Sequence, residues 1–144
     1  MAFNITNGSS RLVSGFLSDR VGRKRIMSSV FFLAGCAYVL FPHLDGLAVW
    51  AVLTAAVGFA FGTLFAVSAP FVSDCFGMAH FGSTFGLVFT AVGFFSGAPG
   101  SLLSGYLLDS SGGNYTLVFL YLGARMYISA LLIQVAAPYT ECKL

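Results

Sequence analysis

Gly15-Phe16-Leu17-Ser18-Asp19-Arg20-Val21-Gly22-Arg23-Lys24-Arg25 carries four of the chain's seven Lys and Arg residues within one short stretch. Apolar sequence follows it at once, and a more mixed segment precedes it. Gly22 permits a tight turn between antiparallel helices, because glycine reaches backbone conformations closed to other residues. Asp19 sits at a helix end, close enough to pair with Arg20 and Arg23 where water is scarce. Short loops rich in Lys and Arg stay on the cytoplasmic side of a membrane. The stretch therefore predicts a cytoplasmic turn between two membrane helices.

The rest of the composition agrees. Of the 144 residues, 58% are apolar and 8% charged, against about 25% charged in an average soluble domain. Too few charges remain to cover a water-soluble surface, so lipid replaces water over much of the chain. Sixteen Phe and seventeen Gly fit that reading: Phe is at home in hydrocarbon, and Gly lets helices approach closely. A net charge of +2 gives no reason to expect nucleic acid. Cys36, Cys75 and Cys142 have no metal-binding spacing and read as reduced packing residues. Residues 1–7 lack the basic start and apolar core of a signal peptide. No His/Asp/Glu cluster and no nucleophile beside a base points to an enzyme, and neither metal nor cofactor is expected.

A span needs about 20 helical residues. Residues 1–17 read as a polar, truncated segment, with Asn4, Thr6, Asn7, Ser9, Ser10 and Arg11. Four fuller segments follow at 26–41, 47–72, 81–108 and 115–137, the first of them beginning inside the basic stretch. The expected fold class is an all-α integral membrane domain over residues 1–144, with one truncated and four full helices. Pro42, His43 and Asp45 end one segment; Asp74, Gly77 and His80 end the next. Asp109-Ser110-Ser111-Gly112-Gly113-Asn114 is a turn-forming linker. With the basic loop 20–25 cytoplasmic, loops 42–46 and 109–114 face outward, and both lack Lys and Arg. Loop 73–80 and the tail with Glu141 and Lys143 face inward.

The opening stretch resembles the major facilitator signature, G-x-L-x-D-R-x-G-R-K/R, at every defining position: Gly15, Asp19, Arg20, Gly22, Arg23 and Lys24. The resemblance implies a conformational latch, in which Asp19 also faces the N-terminus of a neighbouring helix. The signature occurs in each half of these twelve-helix transporters. The short tail after the last helix favours the second copy, making this chain helices 8–12. Phe76-Gly77, the run Phe81-Gly82-Ser83-Thr84-Phe85-Gly86-Leu87-Val88-Phe89-Thr90, and Pro99-Gly100 through Gly113-Asn114-Tyr115 look like oxalate/formate-type and monocarboxylate-type members.

Arg11 lies eight positions before Asp19, about 12 Å deeper along a helix, where an unpaired cation is costly and usually functional. Monocarboxylate-type members carry an Arg four residues before the motif's first Gly, as Arg11-x-x-x-Gly15 does here. The resemblance implies that Arg11 holds a substrate carboxylate. It does not extend to an acid one turn earlier, where Asn7 stands, nor to a Lys in 81–108, so a monoanion fits better than a dianion. Arg125, in the peripheral last helix, is expected to cap carbonyls or meet another helix. Gly82-x-x-x-Gly86 and Gly93-x-x-x-Gly97 are expected close-packing steps, and Pro99 a kink. His43 and His80 read as solvated residues at membrane edges. The glycosylation triplets at Asn4, Asn7 and Asn114 lie too near the bilayer to be used.

Two functions follow. One is a multi-pass secondary transporter of a small organic anion, working in the lipid bilayer with a missing N-terminal half. The other is a truncated paralogue, a non-transporting bundle partner or remnant.

Overall fold

A computed structural model describes residues 1–135, apart from the side chains at 95, 96 and 98. Residues 136–137 of the last expected segment, and Glu141, Cys142 and Lys143, lie outside this range. Among the described residues the regular structure is entirely helical. Helix α1 is Ala2–Val21, α2 Arg23–Leu40, α3 Leu47–Phe76, α4 Phe81–Val92, α5 Ala98–Ser110 and α6 Tyr115–Val135. Arg23–His43, Leu47–Phe76 and Tyr115–Val135 are long and apolar enough to cross a membrane.

Each break has a local cause. Gly22, with φ 102°, turns α1 into α2, and its N–H donates to the Ser18 carbonyl at 3.0 Å. Gly46, Gly77, Gly112 and Gly113 also take positive φ at helix junctions. Two segments are longer than expected. The polar first segment forms a 20-residue helix, about 30 Å long and so the thickness of the hydrocarbon. Helix α3 runs on through Asp74 to Phe76, so Asp74 belongs to its last turn and not to a loop.

The polar side of α1 finds its partners within the fold. Ser10, Ser14 and Ser18 are buried at helical spacing, and all three hydroxyls donate to carbonyls of their own helix, at Asn7, Ser10 and Gly15. Hydroxyls bonded in this way can lie in an apolar interior without a separate partner. Small residues opposite them let α3 come close. A Cβ added to Gly62 would collide with Ser10 Oγ and the Asn7 carbonyl, and one on Gly58 would lie 2.6 Å from the Phe3 carbonyl. Helix α6 packs antiparallel on α2, with Ser28 Oγ donating to the Ala130 carbonyl at 3.0 Å.

Residues 81–110 are helical throughout but in three pieces. Between α4 and α5, Gly93–Gly97 forms a π-helix, and Pro99 falls in the first turn of α5. The proline cannot donate an N–H, and a π-turn accommodates such an interruption without ending the helix.

Candidate functional site

The motif residues come together around Arg23. Its Nη2 donates to Asp19 Oδ1 at 3.1 Å, across the turn from α1. Its Nη1 donates to the Pro70 carbonyl at 2.7 Å and to Asp74 Oδ2, both on the last turns of α3. One planar guanidinium thus ties three helices at one end of the bundle, which suits a group with several donors in a fixed fork. The Arg23 side chain is 19% exposed, Asp74 31% and Asp19 65%. Arg20 does not join the cluster: its guanidinium lies 4.4 Å from the centre of the Phe16 ring. Gly15 has nothing within 4 Å of an added Cβ, and Lys24 is half-buried near the start of α2.

Arg11 sits apart from this cluster. It is exposed on α1, and its guanidinium carbon lies 5.6 Å from the centre of the Phe65 ring of α3. Phe65 belongs to a column of aromatic rings. Phe3 meets Phe61 at 6.1 Å, Phe61 meets Phe65 at 5.0 Å, and Phe65 meets Phe89 of α4 at 5.7 Å. Phe85 and Phe81 continue it along α4. Beside the column, between α3 and α4, a cavity of about 440 Å³ is lined by Phe61, Phe65, Ser68, Phe89 and Val92 among others. Asn7 Oδ1 and Ser68 Oγ are buried polar atoms with no hydrogen-bond partner among the described residues. A cation on an aromatic platform beside an apolar cavity can hold an anion with an apolar body.

The remaining expected residues divide. At Gly82, Gly86, Gly93 and Gly97, the expected close-packing steps, an added Cβ meets nothing within 4 Å among the described residues. The rings of Phe65 and Phe89 stand between α3 and α4 and hold them apart. Arg125 does meet another helix. Its Nη1 donates to Tyr121 Oη at 2.9 Å and lies 3.2 Å from where a Cβ on Gly100 of α5 would stand. His43 is exposed, with Nδ1 3.0 Å from the Val39 carbonyl, and His80 is exposed as well. Cys36 and Cys75 are unbridged, and no group of metal-binding side chains occurs among the described residues.

The profile of the Major Facilitator Superfamily matches residues 1–141. The chain belongs to that superfamily. Among its relatives is the Escherichia coli protein YhjX, an uncharacterized MFS-type transporter, 35% identical over 92 residues. That match takes in 62% of this chain and 23% of the relative. The oxalate:formate antiporter of Oxalobacter formigenes is 32% identical over 90 residues, 61% of this chain and 22% of its own. MJ1317 of Methanocaldococcus jannaschii, another uncharacterized MFS-type transporter, is 29% identical over 131 residues, 91% of this chain and 32% of the relative. The chain spans about a quarter to a third of these relatives. No solved structure is significantly similar to it.

For this facilitator chain, sequence reasoning passed over Gly58, Gly62 and Asp74 as site-forming residues. Gly58-x-x-x-Gly62 has the same small-residue spacing as the pairs chosen on α4, so the signal was present. Asp74 gave no signal of its own, since its pairing with Arg23 spans 51 residues.

Proposed function

We propose that this facilitator chain is part of a secondary transporter for a small organic anion, most simply a monocarboxylate, working by alternating access. The observation that carries the reading is Arg11, whose guanidinium lies over Phe65 at 5.6 Å on an exposed face of α1. A planar guanidinium meets a carboxylate in two parallel hydrogen bonds, and the neighbouring rings offer the remainder of the anion an apolar surface. Kinship with an oxalate:formate antiporter supports an anionic substrate. Asn7 has no proton to carry, and residues 81–110 hold no lysine. Both features favour a single carboxylate and argue against proton coupling at this position.

Asp19, Arg23 and Asp74 form the proposed latch, opened and remade as α1 shifts against α3. The basic loop and the C-terminal end of the chain lie on the cytoplasmic side, by the positive-inside rule. Further helices, corresponding to the greater length of the relatives, complete the cavity.

Uptake of labelled formate, acetate and oxalate into proteoliposomes holding the full-length gene product tests this reading. Arg11→Ala removes both charge and fork and is expected to lower saturable uptake by about tenfold to a hundredfold, the worth of a charged hydrogen bond. Arg11→Lys keeps the charge and is expected to raise KM more than it lowers the maximal rate. Unchanged uptake by Arg11→Ala would sink the proposal.

A further inference from the structure

Helices α2 and α6 approach closely at two glycines. A Cβ on Gly123 would stand 2.9 Å from Val39 Cγ2, and one on Gly35 2.9 Å from Tyr127 Cε1. From that crossing toward the basic end of α2, the pair leaves a groove of about 640 Å³ lined by Ser28, Ser29, Phe32, Tyr127, Leu131 and Gln134, with Ala130. It is separate from the Arg11–Phe65 site, sharing no residue with it.

The polar side chains Ser28, Ser29 and Gln134 gather at one end of the groove, while at the other the Tyr127 hydroxyl donates to Cys36 Sγ at 3.2 Å. Along its length Phe32 is 58% exposed and Leu131 66%, and on membrane-spanning helices such faces meet acyl chains. Toward the basic end stand the exposed Ser29 on α2 and the exposed Gln134 in the last turn of α6. Ser28 Oγ, bonded to the Ala130 carbonyl, ties the two helices there. Arg25 is exposed one turn before Ser29, on the same helix face. Its long apolar stem can lie along the helix while the guanidinium stays at the bilayer surface. Apolar walls ending in a hydroxyl, an amide and a cation match the polarity of a phospholipid, and the cation selects a negative headgroup.

We propose that the α2–α6 groove binds one anionic glycerophospholipid, with an acyl chain between Phe32 and Leu131 and the phosphate at Arg25 and Ser29. Fluorescence quenching by brominated lipid tests it. In a chain carrying Trp50→Phe and Phe32→Trp, the sole indole lies in the groove wall. The chain is reconstituted in phosphatidylcholine–phosphatidylglycerol bilayers, with one lipid or the other dibrominated. Phosphatidylglycerol is expected to be preferred at the indole by about fivefold, the worth of one basic residue at an anionic surface. Arg25→Gln is expected to bring the ratio to about one. Equal quenching by both lipids in the parent, or a preference that survives Arg25→Gln, overturns the proposal. So does an indole that neither lipid quenches, because protein would then cover the groove. Since Phe32→Trp alters packing against Tyr127, native mass spectrometry of the otherwise unaltered chain is the second measurement. One phosphatidylglycerol should remain on the wild type and be lost from Arg25→Gln; equal retention overturns the assignment.

Discussion

The guanidinium of Arg23 serves two carboxylates that differ in their access to solvent, and this difference ranks them. Asp19 is 65% exposed and pairs across the Gly22 turn, and an exposed ion pair is worth roughly 0.2–1 kcal/mol. Asp74 is only 31% exposed, and at such a half-buried position a hydrogen bond to a charged group is worth roughly 1.5–3 kcal/mol. Asp74→Asn is therefore expected to lower the midpoint of SDS-induced unfolding, followed by circular dichroism, clearly more than Asp19→Asn does. Equal midpoints would mean that Arg23 does not bind α3 to the turn. At Gly100 the constraint is steric: an added side chain meets Arg125 Nη1. Gly100→Val is expected to displace that guanidinium from Tyr121, whereas Gly105→Val, with nothing within 4 Å of its Cβ, serves as the matched control. Crosslinking between cysteines placed on α5 and α6 reads the displacement.

Among the helices, close approach is set by a seam of small residues between α1 and α3. An added Cβ at Gly62 meets Ser10 Oγ and also the Asn7 backbone carbonyl, so a methyl group there must move the α1 backbone and not only a side chain. Overpacking of this kind costs roughly 1–3 kcal/mol. Gly62→Ala is expected to lower the SDS midpoint by a corresponding amount, while Gly86→Ala, facing open space in this chain, leaves it unchanged or raises it. Comparable losses in the two variants would contradict the packing described. The broken helix of residues 81–110 contrasts with this seam. It meets α3 through phenylalanine rings, and its π-turn and proline leave a point where the two halves can bend independently.

At the scale of the whole molecule, much of α4 and α5 is covered by no element among the described residues. Leu87, Phe94, Leu102 and Tyr106 are each 69% or more exposed. The relatives are about three to four and a half times as long as the matched stretch, and we propose that the glycine face of α4 packs on helices that correspond to that greater length. Gly86→Leu is then expected to be harmless to unfolding of the isolated 144-residue chain but to reduce transport by the full-length protein. Equal effects on both would place the packing partner elsewhere.

Much of this was legible in the sequence. Hydropathy marks the apolar helices, charge clustering marks the turn, and the spacing from Gly15 to Lys24 marks the superfamily, because each is written along one dimension of the chain. Pro99 and the turn glycines likewise act on their own backbone, so their breaks could be read locally. The partners of a side chain depend on how each helix is rotated about its axis and on which neighbour it faces. That rotation sends Ser10, Ser14 and Ser18 into the seam, so that a polar stretch forms a 20-residue helix. It also brings Asp74 to Arg23 across 51 residues, turns Arg20 away to Phe16, and puts close packing at Gly58 and Gly62 instead of Gly82 and Gly86. Membrane helices and their family were determined by local composition and spacing; the contacts of Arg23 with Asp74 and of Arg11 with Phe65 were decided only when the helices packed.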